Sequence, residues 1–393
     1  MKNIGIVSCY FKMNYGSMLQ AFATQRFMDN LGLRNETINL SGISREIFRG
    51  KRKYYRRNLL NLQMYQAKKG FIRHIVQRKL DRNGFGKNIV QRNHAFRNFE
   101  DRYFRLSKPC SSIEELSSSC RQYTDVLLGS DQLWLPLNIE GDYYTLNFVP
   151  DLINKVAFAT SFGVSEIPLY LQEKTACFLS HIQHLSVREK SGQQIIEQLT
   201  GRQVPIVCDP SLLFTGDEWG SIQSPEAIIS HPYIFCYLLG NNPSHRSFAN
   251  RLKQETGLPI VVLRHLDEYI PSDEAFGDEA PYDIGPLEFL NLIHHAKFVC
   301  TDSFHGTVFS ILNKKPFFTF KRFQKNNAQS TNARLDTFLS TAGLIDRYIQ
   351  GDADVSALIT SEIDYQTVDK KIRQLRENSI RFLTASLGIT ERV

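Results

Sequence analysis

A histidine stands between a serine cap and a glycine in Ser303-Phe304-His305-Gly306. Ahead of it, Lys297–Thr301 is a short apolar run of strand type, and Thr301-Asp302-Ser303 is turn and helix-cap chemistry. Behind it, Val308, Phe309, Ile311 and Leu312 recur at helical spacing over Phe304–Asn313. Pro316 stops that helix before a second apolar run, Phe317–Phe320. Strand–turn–helix–strand is half of a nucleotide-binding α/β layout. Backbone N–H groups and the helix dipole favour an anion at such a helix start. Ser303 and Gly306 are therefore candidate binding positions, and His305 can meet an anionic ligand and pass it a proton. A capped helix whose histidine is satisfied by structure alone explains this stretch equally well.

Other polar clusters follow strand patterns, the usual place for site residues in open α/β sheets. Asp125–Leu128 runs into Gly129-Ser130-Asp131-Gln132 and then Trp134, which makes Ser130 and Asp131 candidates over a simple turn. Asn3–Val7 leads to the loop FKMNYGS, with Asn14 and Gly16 just ahead of a helix. That loop lacks the spacing of a dinucleotide fingerprint. His184–Val187 leads to Arg188, which can clamp a carboxylate or phosphate or simply pair with Glu189. Lys321, Arg322 and Arg334 are further cations near the His305 stretch, with surface charge as the default explanation.

The elements that must position these residues alternate strand and helix, which gives a mostly parallel sheet. We expect a first domain over 1–214, with strands Asn3–Val7, Glu36–Leu40, Asp125–Leu128, Val156–Thr160, His184–Val187 and Val204–Val207 and a helix from Met18 to about Leu31. Thr215–Pro232 reads as the linker. A second α/β domain over 230–350 opens with Tyr233–Leu239 and carries His305. Residues 351–393 contain a long helix, Asp364–Ser386, expected to pack back toward the first domain. Asn14, Ser130, Asp131 and Arg188 should then face His305 across a cleft.

At 393 residues the chain has room for two cores. It contains no apolar run long enough for a membrane span, and MKNIGIVSCYF reads as a first strand, not a signal peptide. Seven scattered cysteines without a CxxC fit reduced core thiols in the cytoplasm and give no zinc site. No cluster of ligand spacing implies another metal. The net charge of +7 is uneven: residues 45–105 carry 18 Lys and Arg against four acids, a balance of +14, and the rest carries −7. Tyr54, Tyr55, Leu59, Leu60, Met64, Tyr65 and Phe71 are interleaved with those cations. A basic helical insertion of this kind suits an anionic membrane surface or a lipid-linked phosphate. No nucleic-acid recognition motif accompanies it, and a solvated helical insertion explains the charge equally well.

The stretches NYGSMLQAFA (14–23), LLGSDQLW (127–134), FATSFG (158–163), SVREKSG (186–192), CDPSLL (208–213) and TDSFHGTVFSILNKKPF (301–317) together resemble the polysaccharide pyruvyl transferase family. The resemblance implies two Rossmann-like domains facing across a cleft, the glycosyltransferase B type. It also implies transfer of the pyruvyl group of phosphoenolpyruvate onto two hydroxyls of a sugar, forming a cyclic ketal without a cofactor. Some members carry Arg-Leu-His where this chain has Ser303-Phe304-His305. The histidine is kept, and the arginine expected to hold a donor anion is not.

That chemistry needs a proton for the methylene carbon, a hydroxyl to attack the resulting cation, and positive groups around carboxylate and phosphate. His305 is the expected acid, Arg188 the expected clamp, and Asp131 the residue that takes the hydroxyl's proton or binds the sugar. Asn14, Gly16, Ser130, Ser303, Gly306 and Arg334 are expected to bind substrate. The acceptor is a saccharide, lipid-linked or polymeric, at the inner face of the membrane. Two rivals remain open: a glycosyltransferase using a nucleotide sugar on the same fold, and a non-catalytic glycan-binding or scaffold protein.

Overall fold

A computed structural model describes residues 2–58, 72, 75–77, 79–80, 84–265, 269–322 and 333–389. Among the described residues ten short strands form two sheets: β1 Asn3–Val7, β2 Arg34–Thr37, β3 Asp125–Leu128, β4 Asn154–Thr160 and β5 His184–Val187 in one, and β6 Ile234–Tyr237, β7 Ile260–Val262, β8 Phe298–Thr301, β9 Phe317–Phe320 and β10 Tyr348–Ile349 in the other. Every pairing is parallel, in the orders β2-β1-β3-β4-β5 and β10-β9-β8-β6-β7. Counted within each sheet, both orders are 2-1-3-4-5. The strands are nearly all buried, as parallel sheets covered by helices on both faces must be. The fold is thus two Rossmann-like units facing across a cleft, the glycosyltransferase B type.

In a 2-1-3-4-5 sheet the chain winds one way after the first strand and the other way after the third. The crevice between those strands' carboxyl ends collects ligands. Here the two crevices belong to β1/β3 and β6/β8. The loops leaving them carry Lys12, Asn14 and Asp131 on one side and Ser303 and His305 on the other.

The expected Val204–Val207 strand forms only a single bridge, Val187 with Ile206, before the chain turns at Asp209. The first helix starts at Tyr15, three residues before the expected Met18, because Asn14 caps it by accepting from Ser17 N at 3.1 Å. The terminal helix Tyr365–Ser386 spans both units. Tyr365 donates to Lys315 O at 2.5 Å, Ser379 Oγ accepts from Cys208 N at 2.8 Å, and Asn154 donates to Ser386 O at 2.9 Å.

One apolar cluster runs through both units. Tyr15 stacks on Phe289 at 4.7 Å, and Trp219, from the connecting segment, meets Phe22 at 6.0 Å and Phe309 at 5.2 Å. A large apolar interface restrains relative domain motion. The basic segment divides in two. Helix Ser44–Arg57 buries none of its residues and lies outside the sheet. Helix Phe85–Tyr103 buries Ile89, Arg92, Phe96 and Phe99 at helical spacing. Leu59, Leu60, Met64, Tyr65 and Phe71 lie outside the described residues.

Arg92 is 4% exposed and donates to second-unit carbonyls: Tyr282 O at 2.9 Å, Pro281 O at 3.1 Å and Arg264 O at 3.5 Å. This helix packs its buried face onto the fold: Phe96 meets Tyr15 and Phe99 meets Phe22, while Arg92 reaches across to the second unit. Arg92→Ala should lower stability by about 3 kcal/mol, since a charged hydrogen bond is worth about 1.5–3 kcal/mol. Chemical denaturation checks this. An unchanged midpoint would mean that the helix does not hold the two units together.

Candidate active site

A cavity of 430 Å³ opens where the two crevices meet, and its lining includes Lys12, Asn14, Asp131, Ser303, His305, Arg322 and Arg334. Its walls come from both units, so neither domain contains the site alone.

Beneath the cavity floor lies a buried chain of charges. The Arg188 guanidinium is 1% exposed; Nη1 donates to Asp209 Oδ2 at 2.6 Å and Nη2 to Asp131 Oδ1 at 3.2 Å. The ring of Phe304, from the second unit, covers it with Cζ 4.8 Å from the ring centroid. Ser130 Oγ lies 2.8 Å from Asp209 Oδ2 and 2.9 Å from Ala159 O, fully buried. Asp209 Oδ1 accepts from Ser211 N at 3.1 Å and Ser211 Oγ at 2.7 Å, and lies 3.5 Å from His305 Nε2.

Asp131 sits in the left-handed region with φ 81°. A non-glycine residue pays about 1–3 kcal/mol for that conformation. Here Ser161 N and Leu133 N donate to its carbonyl at 3.0 and 2.8 Å and hold the turn. The strained turn aims the carboxylate into the cleft, where Oδ2 accepts from Ser17 Oγ at 2.5 Å and Oδ1 from Gln132 N at 2.8 Å. Burial alone would raise its pKa, but Lys12, Arg188, His305 and Arg334 hold it well below the usual carboxylate range. Asp209 is likewise held low by His305 and Arg188 against the opposing effect of burial. A carboxylate held this firmly ionised is a weak base and a good hydrogen-bond acceptor.

Arg334 lines the cavity at 9% exposure, with Nη1 4.0 Å from Asp131 Oδ1. Its Nε is buried without a hydrogen-bond partner. Burial and the like charge of Arg188 lower its pKa to about 9. A second carboxylate or phosphate beside it would relieve both effects. Arg322, at the end of β9, donates to Asp302 O at 2.8 Å, and Asp302 in turn accepts from Leu239 N at 2.7 Å and Gly240 N at 2.8 Å. Arg322 thus brings a cation beside position 303, where the serine stands. Three cations and one carboxylate line the cavity together with His305.

The structure brings Asn14, Asp131, Ser303, His305 and Arg334 to one cavity. The other expected contacts need correction. Arg188 is not exposed to clamp a donor; its guanidinium is already committed to two carboxylates beneath Phe304. Ser130 is buried and supports Asp209. Gly306 packs, since a β-carbon there would fall 2.5 Å from Thr301 Oγ1. Gly16 meets His305, not a ligand: a β-carbon on Gly16 would fall 1.9 Å from Nδ1. Ser303 Oγ caps its helix by accepting from Gly306 N at 3.3 Å. His305 lines the cavity at only 6% exposure. Residues overlooked in the sequence reading are Asp209, Ser17 and Lys12. Asp209 follows an apolar run as Asp131 does, and the same strand-end rule would have found it.

The family model for polysaccharide pyruvyl transferase matches residues 14–322, most of the chain and every element of the site but Lys12 and Arg334. The chain belongs to this family. It is therefore an enzyme, a pyruvyl transferase-like transferase. No curated protein matches it. Among solved structures it is similar to a UDP-GlcNAc 2-epimerase from Neisseria meningitidis bound to UDP-GlcNAc, with TM-score 0.46 and 10% identity over 97% of this chain and 100% of that one. It is also similar to the glycosyltransferase SnogD from Streptomyces nogalater, with TM-score 0.43 and 9% identity over 97% and 96%. Likeness at this level carries no argument about ligands. Among the described residues no helix is long and apolar enough to cross a membrane, and no three His, Cys, Asp or Glu side chains group to hold a metal.

Two outcomes follow from the buried charges in this pyruvyl transferase-family chain. Arg188→Met should destabilise the protein by about 3–5 kcal/mol, because it leaves Asp131 and Asp209 without their shared cation. A surface clamp would change stability by only about 0.5 kcal/mol, so urea unfolding separates the two. Both carboxyls titrate below their ordinary value, so their contribution to stability is complete above about pH 4. It is lost as pH falls through the lowered folded-state values. The melting temperature should therefore drop in acid below pH 4, and a flat profile there would contradict the buried pairing.

Proposed function

We propose that this enzyme moves the pyruvyl group of phosphoenolpyruvate onto a saccharide of glycan biosynthesis, with the reaction in the interdomain cavity. The observation that carries this reading is the lining itself: Lys12, Arg322 and Arg334 around His305, at the meeting of two sheet crevices. Arg322 and Arg334 are the donor-anion cations, in place of the arginine absent at 303 and of the committed Arg188. The donor is an anion with a carboxylate and a phosphate, and a guanidinium suits each as a bidentate partner.

In this mechanism His305 gives a proton to the methylene carbon of the enol phosphate, and the carbon bearing the phosphate becomes cationic. One sugar hydroxyl attacks it, forming a C–O bond and losing its proton. The C–O bond to phosphate then breaks, and the second hydroxyl closes the ketal. Of the two hydroxyl protons, one replaces the proton taken from His305 and one leaves on the phosphate. Asp131, held ionised by its neighbours, orients the attacking hydroxyl by accepting its hydrogen bond. The reaction requires no cofactor or metal.

The acceptor is a saccharide carried by an anionic lipid or polymer. Helix Ser44–Arg57 supports this, with seven Lys and Arg against Glu46 and with Phe48 57% and Tyr55 36% exposed. Tyr170 lies beside it, 4.9 Å below Arg57 Cζ. Anionic vesicles should retain the protein at low salt and release it as salt shortens the screening length, about 10 Å at 0.1 M. No retention even at low salt removes the membrane from the reading.

A thermal-shift panel tests the donor. Phosphoenolpyruvate at 100 times its Kd should stabilise the protein by about 2.7 kcal/mol. Stabilisation by a nucleotide sugar alone would reassign the cations to a diphosphate and the reaction to glycosyl transfer. Stabilisation by neither would favour a binding or scaffold role. His305→Gln, which keeps volume between Gly16 and Asp209, should lower turnover about 10²–10⁴-fold. Near-normal turnover would leave His305 a binding residue.

A further inference from the structure

We propose that Asp209, contributed by the first domain, is the positioning residue of His305: it fixes a proton on the ring nitrogen facing it and leaves the other nitrogen bare when the ring is neutral. This rests on the reading of His305 as the acid.

The geometry carries it. Asp209 is anchored before it reaches the histidine. Val207 N donates to Val187 O at 2.8 Å, and the carboxylate, fully buried, is held by Arg188, Ser130 and Ser211. Its Oδ1 ends 3.5 Å from His305 Nε2. That nitrogen is itself buried and has no hydrogen-bond partner. The ring's Nδ1 side lies against Gly16, where even a β-carbon would collide. His305 is carried by the second domain but pinned between two residues of the first. Other charges nearby are Asp131 and the cations Lys12, Arg188, Arg322 and Arg334. Both acids are hydrogen-bonded elsewhere, and Asp209 Oδ1 is the carboxylate oxygen that comes within 3.5 Å of the ring.

A neutral imidazole carries its proton on one nitrogen, and a hydrogen bond at the other edge decides which. A carboxylate at Nε2 selects Nε2–H and leaves Nδ1, on the Gly16 side of the ring, as the bare nitrogen of the neutral imidazole. Contacts of this kind are often long without substrate and tighten when it binds.

The test is nitrogen-15 NMR of histidine-labelled protein above the imidazole titration range, with His305 assigned by the signals lost in His305→Gln. In the parent, the His305 signals should be those of an Nε2–H ring with bare Nδ1. In Asp209→Asn the two nitrogens should move toward the averaged positions of a tautomer mixture. An Nδ1–H ring or an even mixture in the parent overturns the proposal, and that measurement stands even if the variant fails to fold. An unchanged pattern in folded Asp209→Asn also overturns it. The readout involves no donor, so its failure is distinct from that of the pyruvyl-transfer reading, which the thermal-shift panel decides.

Discussion

A guanidinium that is 1% exposed must find its partners within the protein, and the two terminal nitrogens of Arg188 find Asp209 and Asp131. The desolvation cost of such a cation is several kcal/mol, so the two carboxylates cannot move independently of it. Asp131 is thereby held at the end of β3 in a strained turn, and Asp209 is held where the chain leaves the Val187–Ile206 bridge. Phe304 from the second unit closes the network from above. His305, next in sequence to Phe304, arrives beside Asp209 as a consequence. The buried cation thus sets the geometry on both sides of the cleft without touching it.

This arrangement makes the site a property of the closed pair of domains. The apolar cluster through Tyr15, Trp219, Phe289 and Phe309 and the clamp of Arg92 on the 281–282 carbonyls hold that pair together. Gly16 permits the close approach that ends in His305. Lys12, Arg322 and Arg334 then line the remaining space, where an anion would offset their charge.

Much of this was legible in the sequence because it is local. Strand ends followed by polar residues located Asp131 and His305, and the Asn14 and Ser303 caps follow from residue type. Pairing between distant segments was not legible. Ser130 and Asp209 are 79 positions apart, and nothing in either stretch says that they meet. The strand-end rule singled out Arg188 but could not show that a phenylalanine 116 residues later would bury it. Gly306 read as a ligand contact because its packing partner, Thr301 Oγ1, acts through space. The spacing of Ile89, Arg92, Phe96 and Phe99 did mark a buried face, yet the charge of the segment drew attention outward.

The central claim is that the cleft cations replace the missing arginine as the donor's anion site and present it to His305. A crystal structure with phosphoenolpyruvate bound tests this most directly. The account predicts its carboxylate and phosphate at hydrogen-bond distance from at least two of Lys12, Arg322 and Arg334, with the methylene carbon turned toward His305. Phosphoenolpyruvate bound outside this cavity, or held there with its methylene carbon turned away from His305, would contradict it.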